Sequence, residues 1–232
     1  MRKKREFRID LHVHSVFSGE SLARPEDIVE AAISKGLDGI CITEHGSLYA
    51  SAPFEELKRK TGFPIFRGVE LATDAGHMLV YGVRDSDWDD WGKDIVCNAQ
   101  EVILRARALG GVAVPAHPCR LAERRGYVGE PKIVLDERIA SLRYLAAIEV
   151  CNGKHSGNPS ICEVLGRFAK SLGLGQTGGS DAHIPEDVGR SYTVFRTPIL
   201  TEEDLVKALL SLSYYPQNEG LPHFSTSDSR PA

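Results

Sequence analysis

The chain has 232 residues, 42% of them hydrophobic and 26% charged, with a formal net charge of −4 at pH 7. These values are typical of an ordinary globular protein, and the slight negative charge argues against a broad basic surface for extended nucleic acid. No apolar run is long enough to cross a membrane or to follow the basic start as a signal peptide, so we expect neither feature.

The first half of the chain alternates between strand-like and helix-like segments. Helical spacing that begins at Pro25 and is closed by Gly36 predicts the first helix. Period-two alternation and short apolar runs predict strands. The predicted strands are 7–13, 39–43, 64–69 and 77–83, and a second helix is predicted at 51–60. Residues 85–94, which hold both tryptophans among acidic residues, are predicted to form a loop.

The second half continues the same alternation. Strands are predicted at 112–116, 147–150 and 191–195, and helices at 95–109, 135–145, 161–172 and 205–212. Residues 175–179 lead into the segment Ser180-Asp181-Ala182-His183. We predict a loop over the site at 120–131, because that segment is polar and contains glycine.

Five cysteines favour a reducing compartment, because their number is odd and no C-x-x-C pair occurs. Cys41 and Cys151 lie inside apolar runs, where cysteine behaves as a small hydrophobic residue. We therefore expect a cytoplasmic protein without disulfides. Cys119 follows His117 by two residues, which leaves a thiol ligand open, but a thiol at the rim of a site is the favoured interpretation.

Roughly seven alternations of strand and helix predict an α/β fold with a parallel sheet and helices outside it. An open doubly wound sheet also fits, but it places its ligand at one switch point, whereas polar groups here follow at least five strands. A closed barrel gathers the ends of most strands. We therefore predict a single TIM-like barrel, with eight strands or fewer, over residues 1–217, followed by a polar, mobile tail at 218–232.

Short polar motifs that contain six of the eight histidines lie at the ends of these strands. His12 and His14 are two residues apart on a strand, so their side chains point to the same face and can chelate one ion. Asp181 and His183 repeat this spacing at a late strand exit, which a closed barrel would bring beside the first. Imidazole and carboxylate are the ligands of zinc, manganese or iron, so the pattern predicts a metal centre.

Five motifs together resemble those of the PHP (polymerase and histidinol phosphatase) family. In chain order they are Asp-Leu-His-Val-His-Ser, Ile-Thr-Glu-His, Gly-Val-Glu, Ala-His-Pro and Gly-Gly-Ser-Asp-Ala-His, and they span residues 10–183. The resemblance implies a distorted seven-stranded (βα) barrel that binds two or three divalent ions, usually zinc, manganese or iron. It also implies hydrolysis of phosphate esters.

The resemblance further implies which residues hold these ions. They are His12, His14, Glu70 and Asp181 for the first ion, Glu70 as a bridge with His77 and His117 for the second, and Glu20, His45 and His183 for the third. The chain departs from the commonest family pattern at Glu20, where aspartate or histidine is often found, and at Glu44, where aspartate is often found. Glu44 is interpreted as a partner of the ligands and not as a ligand itself.

The expected reaction is attack of a metal-bound hydroxide on phosphorus, because adjacent divalent ions lower the pKa of a bridging water. A third ion or His183 would stabilise the leaving oxygen. Arg120 and Arg190 lie on loops at the expected active face, where a guanidinium can grip phosphate. Asn152 and Lys154 are further candidates for substrate contact, and Glu149 for orienting a ligand histidine.

The function that the sequence favours is a metal-dependent phosphoesterase acting on a small phosphorylated molecule, such as a sugar phosphate, histidinol phosphate or nucleotide. Three alternatives stay open. They are an amidohydrolase-type metal hydrolase, a PHP-type exonuclease, and a catalytically silent metal-binding regulatory domain. The sequence does not identify the oligomeric state.

Overall fold

A computed structural model describes residues 5–84, 96–122, 132–155 and 158–219. Its strands are β1 (Phe7–Val13), β2 (Gly39–His45), β3 (Ile65–Thr73), β4 (Gly76–Tyr81), β5 (Val112–Pro115), β6 (Cys119–Ala122), β7 (Lys132–Leu135), β8 (Ala147–Asn152), β9 (Gly175–Gly179), β10 (Ser191–Phe195) and β11 (Tyr214–Asn218). Its α-helices are α1 (Pro25–Ser34), α2 (Pro53–Thr61), α3 (Ala99–Ala108), α4 (Pro159–Ser171) and α5 (Glu202–Ser211). No helix in these ranges is long and apolar enough to cross a membrane.

Local sequence signals explain where the helices begin. Proline is the first residue of α1, α2 and α4, a position where its missing N–H costs no helical hydrogen bond. Helix α5 begins with a capping box, in which the side chains of Thr201 and Asp204 each accept a hydrogen bond from the backbone N–H of the other residue. Helix α2 ends at Gly62, which adopts a left-handed φ of 66°.

The main sheet has seven strands in the order β11-β10-β1-β2-β3-β4-β5. Strands β1, β2 and β3 are parallel, whereas β4 runs antiparallel to both β3 and β5. The expectation of an all-parallel sheet is therefore wrong. The antiparallel direction of β4 follows from its short connection to β3. Two residues suffice for a hairpin but not for the crossover that parallel strands need.

The seven-stranded sheet is curled, so that strands far apart in its order meet inside it. The hydroxyl of Tyr81 on β4 donates a hydrogen bond of 2.9 Å to the carbonyl of Leu11 on β1. Strands β8 and β9 pair in parallel with each other, and a bridge between Val13 and Ala182 joins the end of β1 to the chain after β9. The described strands form three hydrogen-bonded sheets, so the closed (βα)7 barrel is not confirmed, while the α/β class is.

Two predicted elements differ from the structure. The helix predicted at 135–145 is wrong: β7 ends at Leu135, a 3-10 helix covers Glu137–Ser141, and Tyr144 has a φ of 67° that no α-helix accommodates. The predicted loop at 120–131 begins instead inside β6, which pairs with β7. Residues 123–131, and with them most of that predicted loop, lie outside the described residues.

The boundary of the predicted tail also needs correction. Asn218, which the prediction placed at the start of the tail, is the last residue of β11 and is buried, because β11 pairs with β10 along its whole length. Residues 220–232 and the predicted loop at 85–94 lie outside the described residues.

We predict that Tyr81→Phe destabilises the fold without disturbing its surface. The tyrosine side chain is fully buried, so the variant loses the bond to Leu11 and leaves a buried carbonyl with one partner fewer. The expected loss in the free energy of unfolding is about 1 kcal/mol, measured by urea denaturation. Tyr144→Phe is the control: because that side chain is 60% exposed, the free energy of unfolding of this variant should equal that of the unaltered protein. Equal stabilities of the two variants would contradict the proposed role of this bond.

Candidate metal centre

Six histidines and two carboxylates come together where several strands end. His12 lies on β1 and His45 ends β2, while Glu70 lies on β3. His77 stands at the beginning of β4, and because β4 runs antiparallel to β3 its beginning lies beside the end of β3, opposite Ala72. The remaining members follow strands β1, β5 and β9; they are His14, His117, Asp181 and His183.

The Glu70 carboxylate, buried to 2% exposure, lies at the middle of this cluster. Its Oε2 atom is 3.1 Å from His14 Nε2, 3.1 Å from His45 Nδ1 and 3.3 Å from His12 Nε2. Its Oε1 atom is 2.8 Å from His77 Nδ1. One carboxylate therefore faces two separate sets of imidazoles, which is the position of a bridging ligand.

Asp181 forms the second acidic position. Its Oδ1 atom is 3.5 Å from His14 Nε2 and 3.6 Å from His183 Nδ1, whereas Oδ2 is 3.7 Å from His117 Nε2 and 2.9 Å from Lys154 Nζ. Its backbone has a φ of 54°, a left-handed value that is uncommon outside glycine. The backbone N–H of Asp181 donates to the carbonyl of His12, so this unusual conformation is held by β1.

The nitrogen atoms of His12 and His14 point at each other. His12 Nδ1 lies 3.0 Å from Glu149 Oε1 and must donate to it, because an ionised carboxylate only accepts. This leaves His12 Nε2 facing His14 Nε2 at 3.0 Å. Burial lowers the pKa of His14 to about 4, so this imidazole is neutral. Lone pairs and carboxylate oxygens at such distances repel one another unless a proton or a cation lies among them.

The pKa of His12 shows the strength of this demand for positive charge. Burial alone would lower it, but the carboxylates of Asp181, Glu149 and Glu70 outweigh burial and hold the pKa of His12 well above its usual range. The same positive charge, with hydrogen bonds from neighbouring imidazoles, holds the pKa of Glu70 well below its usual range against the opposing effect of burial. The site therefore favours bound positive charge at its centre.

The donor atoms fit divalent metal ions. Three groups of side chains each offer one ligand atom apiece within 4.8 Å of one another: His12, His14 and Asp181; His12, Glu70 and His117; and His14, His45 and His183. Nitrogen and carboxylate donors of this kind suit zinc, manganese or iron. In addition, the buried His14 Nδ1 has no hydrogen-bond partner among the described residues, so this imidazole is not held by a purely structural network.

Glu149 supports the cluster from behind. Its carboxylate, 1% exposed, accepts from His12 Nδ1, from the backbone N–H of His117 at 2.8 Å and from the Asn152 amide at 3.1 Å. His117 has a φ of 30°, so its backbone is held in a sparsely populated conformation that this bond stabilises. The expected contact between Glu149 and a histidine of the cluster is thus present. Carboxylates that accept from ligand imidazoles fix their tautomer and orientation.

Asp10 is a structural anchor that sequence reasoning missed. Its fully buried carboxylate accepts from the backbone N–H groups of Ser180 at 2.8 Å, Gly189 at 2.8 Å and His12 at 3.2 Å. Burial raises its pKa to about 6 against these hydrogen bonds. The residue fastens both ends of the segment that carries Asp181 to β1. The available signal was an acidic residue between the apolar residues Ile9 and Leu11 of a strand.

The remaining predicted acidic residues lie at the edge of the cluster. Glu20 is 74% exposed, with Oε2 3.8 Å from His45 Nε2, and it belongs to none of the three groups of ligand atoms. Glu44 is fully buried and accepts from both the backbone N–H and the hydroxyl of Ser15. Glu44 therefore fixes the turn after His14, and its predicted role as a partner of the ligands stays a prediction.

The predicted cationic residues have different positions. The Arg190 guanidinium forms an ion pair with Asp187 at 2.9 Å and is 43% exposed. The backbone of Arg120 lies in β6, but its side chain is outside the described part of the structure. Lys154, a secondary candidate in the sequence, is the residue that contacts Asp181.

A cavity of about 540 Å³ opens beside the cluster. Its lining includes His77, His117, Pro118, Leu135, Asp136 and Arg138. Arg138 in this lining forms an ion pair with Asp136. His77 and His117 belong both to the lining of the cavity and to the cluster. The cluster is therefore accessible to a small molecule from this side.

The motifs in this site match a known family model. The model described as "PHP domain" covers residues 10–151, more than half of the chain, and a second model described as "PHP-associated" covers residues 163–213. The chain belongs to the PHP family.

The chain is similar to named relatives in sequence and to solved structures in fold. A protein of Caldicellulosiruptor bescii named "Probable phosphatase" is 27% identical over 209 residues, which cover 78% of this chain and 82% of the relative. The solved structure of a two-domain protein from Bacteroides vulgatus, which contains a "predicted PHP-like metal-dependent phosphoesterase", has a TM-score of 0.71 at 20% identity and covers 94% of this chain and 66% of that one.

A third similar protein carries a different name. It is an amidohydrolase from Chromobacterium violaceum, solved with bound sulfate and no metal, with a TM-score of 0.59 at 16% identity over 90% of this chain and 97% of that one. At these identities, both solved structures establish a shared fold and nothing about the reaction of this PHP protein.

We predict that Gly179→Ala disrupts the centre through the backbone. A Cβ at this position would collide with the Cβ of His12 and would lie 2.7 Å from Glu149 Oε1, so either β1 or Glu149 must shift. The expected cost is about 1–3 kcal/mol in the free energy of unfolding, measured by urea denaturation. Gly166→Ala on α4 is the control, because its Cβ would meet only the flexible end of Gln176 at 3.1 Å and helix propensity favours alanine. Loss of stability in the control alone would contradict this packing argument.

Proposed function

We propose that this PHP protein is a metal-dependent phosphoesterase that hydrolyses a small phosphorylated substrate. The observation that carries the proposal is the convergence of imidazole nitrogens on the buried carboxylates of Glu70 and Asp181. Such a set of donors binds divalent cations, and pairs of divalent cations are used for displacement at phosphorus.

The proposed ligand sets follow the contacts of these carboxylates. A first ion would be held by His12, His14 and Asp181, with Glu70 shared between it and a second ion held by His77 and His117. A third would be held by His45 and His183, and Glu20 would complete this set from the solvent side. Zinc, manganese and iron all suit these donors.

When bound, such ions supply Lewis-acid chemistry: they acidify water and neutralise charge on phosphoryl oxygens. The residues of the chain prepare the site for this. Glu149 keeps the proton of His12 on Nδ1 and so directs Nε2 into the centre. His183 donates from Nδ1 to the Asp181 carbonyl at 2.9 Å, which leaves Nε2 as the atom available to a substrate or an ion.

The names of relatives support a phosphatase, and the cavity beside His77 and His117 supports a substrate of small size, such as a sugar phosphate, histidinol phosphate or nucleotide. The net charge of −4 gives no support to a nuclease that tracks long nucleic acid. The amidohydrolase alternative shares the fold.

The test is a substrate screen on protein loaded with zinc, manganese or iron. Release of inorganic phosphate from monoesters is expected, and His14→Ala and Asp181→Ala should abolish it while leaving the fold intact by circular dichroism. Glu163→Ala is the control, because that side chain is exposed and pairs with Arg167 on the same helix. Cleavage of cyclic amides without phosphate release would favour an amidohydrolase, and a fully loaded protein inert on monoesters, diesters and oligonucleotides would favour a regulatory domain.

We predict that Glu149→Gln weakens metal binding about 10- to 100-fold. The substitution replaces one acceptor oxygen of the carboxylate with an NH₂ donor. This donor would face another donor, either the N–H of His12 Nδ1 or the N–H groups of His117 and Asn152, so a hydrogen bond would be lost. The measurement is the dissociation constant for zinc in a competition with a chromophoric chelator. Glu163→Gln should bind zinc as the unaltered protein does. Unchanged affinity in Glu149→Gln would show that this carboxylate does not orient a ligand.

A further inference from the structure

Lys154 lies at the rim of the cluster, on a 3-10 helix that directly follows β8. Its Nζ atom is 2.9 Å from Asp181 Oδ2, and its side chain is 59% exposed. The lysine therefore contacts a proposed metal ligand and solvent at the same time. This position differs from that of Arg190, whose guanidinium pairs with Asp187.

The backbone around Lys154 is fixed. Its N–H donates to the side-chain carbonyl of Asn152 at 3.0 Å, and the Asn152 amide bonds both Glu149 and Asp181. The preceding Gly153 packs against the carbonyl of Ser180 so closely that a Cβ at that position would collide with it. The origin of the lysine side chain is thus held by the same network that holds the cluster.

The two oxygens of Asp181 have different neighbours. Oδ1 faces His14 and His183. Oδ2 faces the ammonium of Lys154 at 2.9 Å, with the Asn152 amide and His117 farther away. An ammonium carries three N–H donors, and a single bond to Asp181 leaves two of them for another acceptor. Because the side chain is more than half exposed, these donors can meet a molecule that approaches the cluster from solvent. The compact positive charge of an ammonium group is well suited to binding phosphate oxygens.

We propose that Lys154 is a substrate-binding residue that holds a phosphoryl oxygen at the centre while staying bonded to Asp181. This inference rests on the proposed function, since it names the cation that recognises the phosphoryl group in that same site. The competing role is structural: the lysine would only neutralise and position Asp181. The two roles differ in their effects on phosphate affinity and metal affinity.

The test measures three quantities for each variant. They are the metal content, the affinity of the zinc-loaded protein for inorganic phosphate by calorimetry, and the steady-state kinetics on an active monoester. Lys154→Met should keep the metal content, weaken phosphate binding about tenfold and raise KM by a similar factor, with a smaller effect on kcat. Lys154→Arg should recover part of this loss because it restores the charge. Lys207→Met is the matched control: that lysine forms an exposed ion pair with Glu203 on α5.

Phosphate affinity equal to that of the unaltered protein in Lys154→Met would overturn the inference. The inference would also be overturned if a fall in metal content accounted for the whole loss of phosphate affinity. That result is expected if the lysine only positions Asp181. The calorimetric measurement needs no turnover. If the unaltered protein hydrolyses no phosphate ester, the proposed function fails, while the comparison of phosphate affinities still decides the role of Lys154.

Discussion

The structure depends on one electrostatic constraint: imidazole nitrogens and the oxygens of two carboxylates lie 2.8–3.7 Å apart in a buried space. His12 and His14 present Nε2 atoms to each other at 3.0 Å, and Glu70 Oε2 lies 3.1 Å from His14 Nε2. Where no proton lies between two such atoms, their lone pairs repel strongly in a region shielded from water. The site therefore favours positive charge at this point: His12, whose pKa is held well above its usual range, supplies it by binding a proton, and a divalent cation would supply it with the coordination that these donors prefer.

The backbone makes this arrangement possible through close contacts and unusual conformations. The curled sheet brings the end of β1 beside the chain that follows β9, and Asp10 fastens the later segment to β1 through the N–H groups of Ser180 and Gly189. Gly179 permits β9 to approach His12 at a distance that no side chain would allow. Asp181 and His117 both adopt positive φ values, so strain is concentrated where side chains must be aimed at the centre.

Several features could be predicted from the sequence because they follow from short-range patterns. The spacing of His12 and His14, and the proline at the start of α1, each depend on neighbours in the chain, and both appear in the structure as expected. The late residues Asp181 and His183 repeat that spacing, but the expectation of a closed barrel, and not spacing alone, places them beside β1. The family model that matches residues 10–151 confirms the family resemblance.

Other features could not be predicted, because they depend on contacts between distant segments. Alternating apolar residues predict β4 as a strand but not its direction, which the two-residue turn before it decides. The role of Asp10 requires backbone N–H groups about 170 and 179 residues away. The contact between Lys154 and Asp181 likewise joins two strand exits that only the packed fold brings together.

The most direct test of the account is a crystal structure of the protein loaded with zinc, with anomalous diffraction measured on both sides of the zinc absorption edge. The account predicts anomalous peaks among the nitrogens of His12, His14 and His117 and the carboxylates of Glu70 and Asp181. Crystals that take up zinc only at other positions, with these side chains turned away from one another, would contradict it.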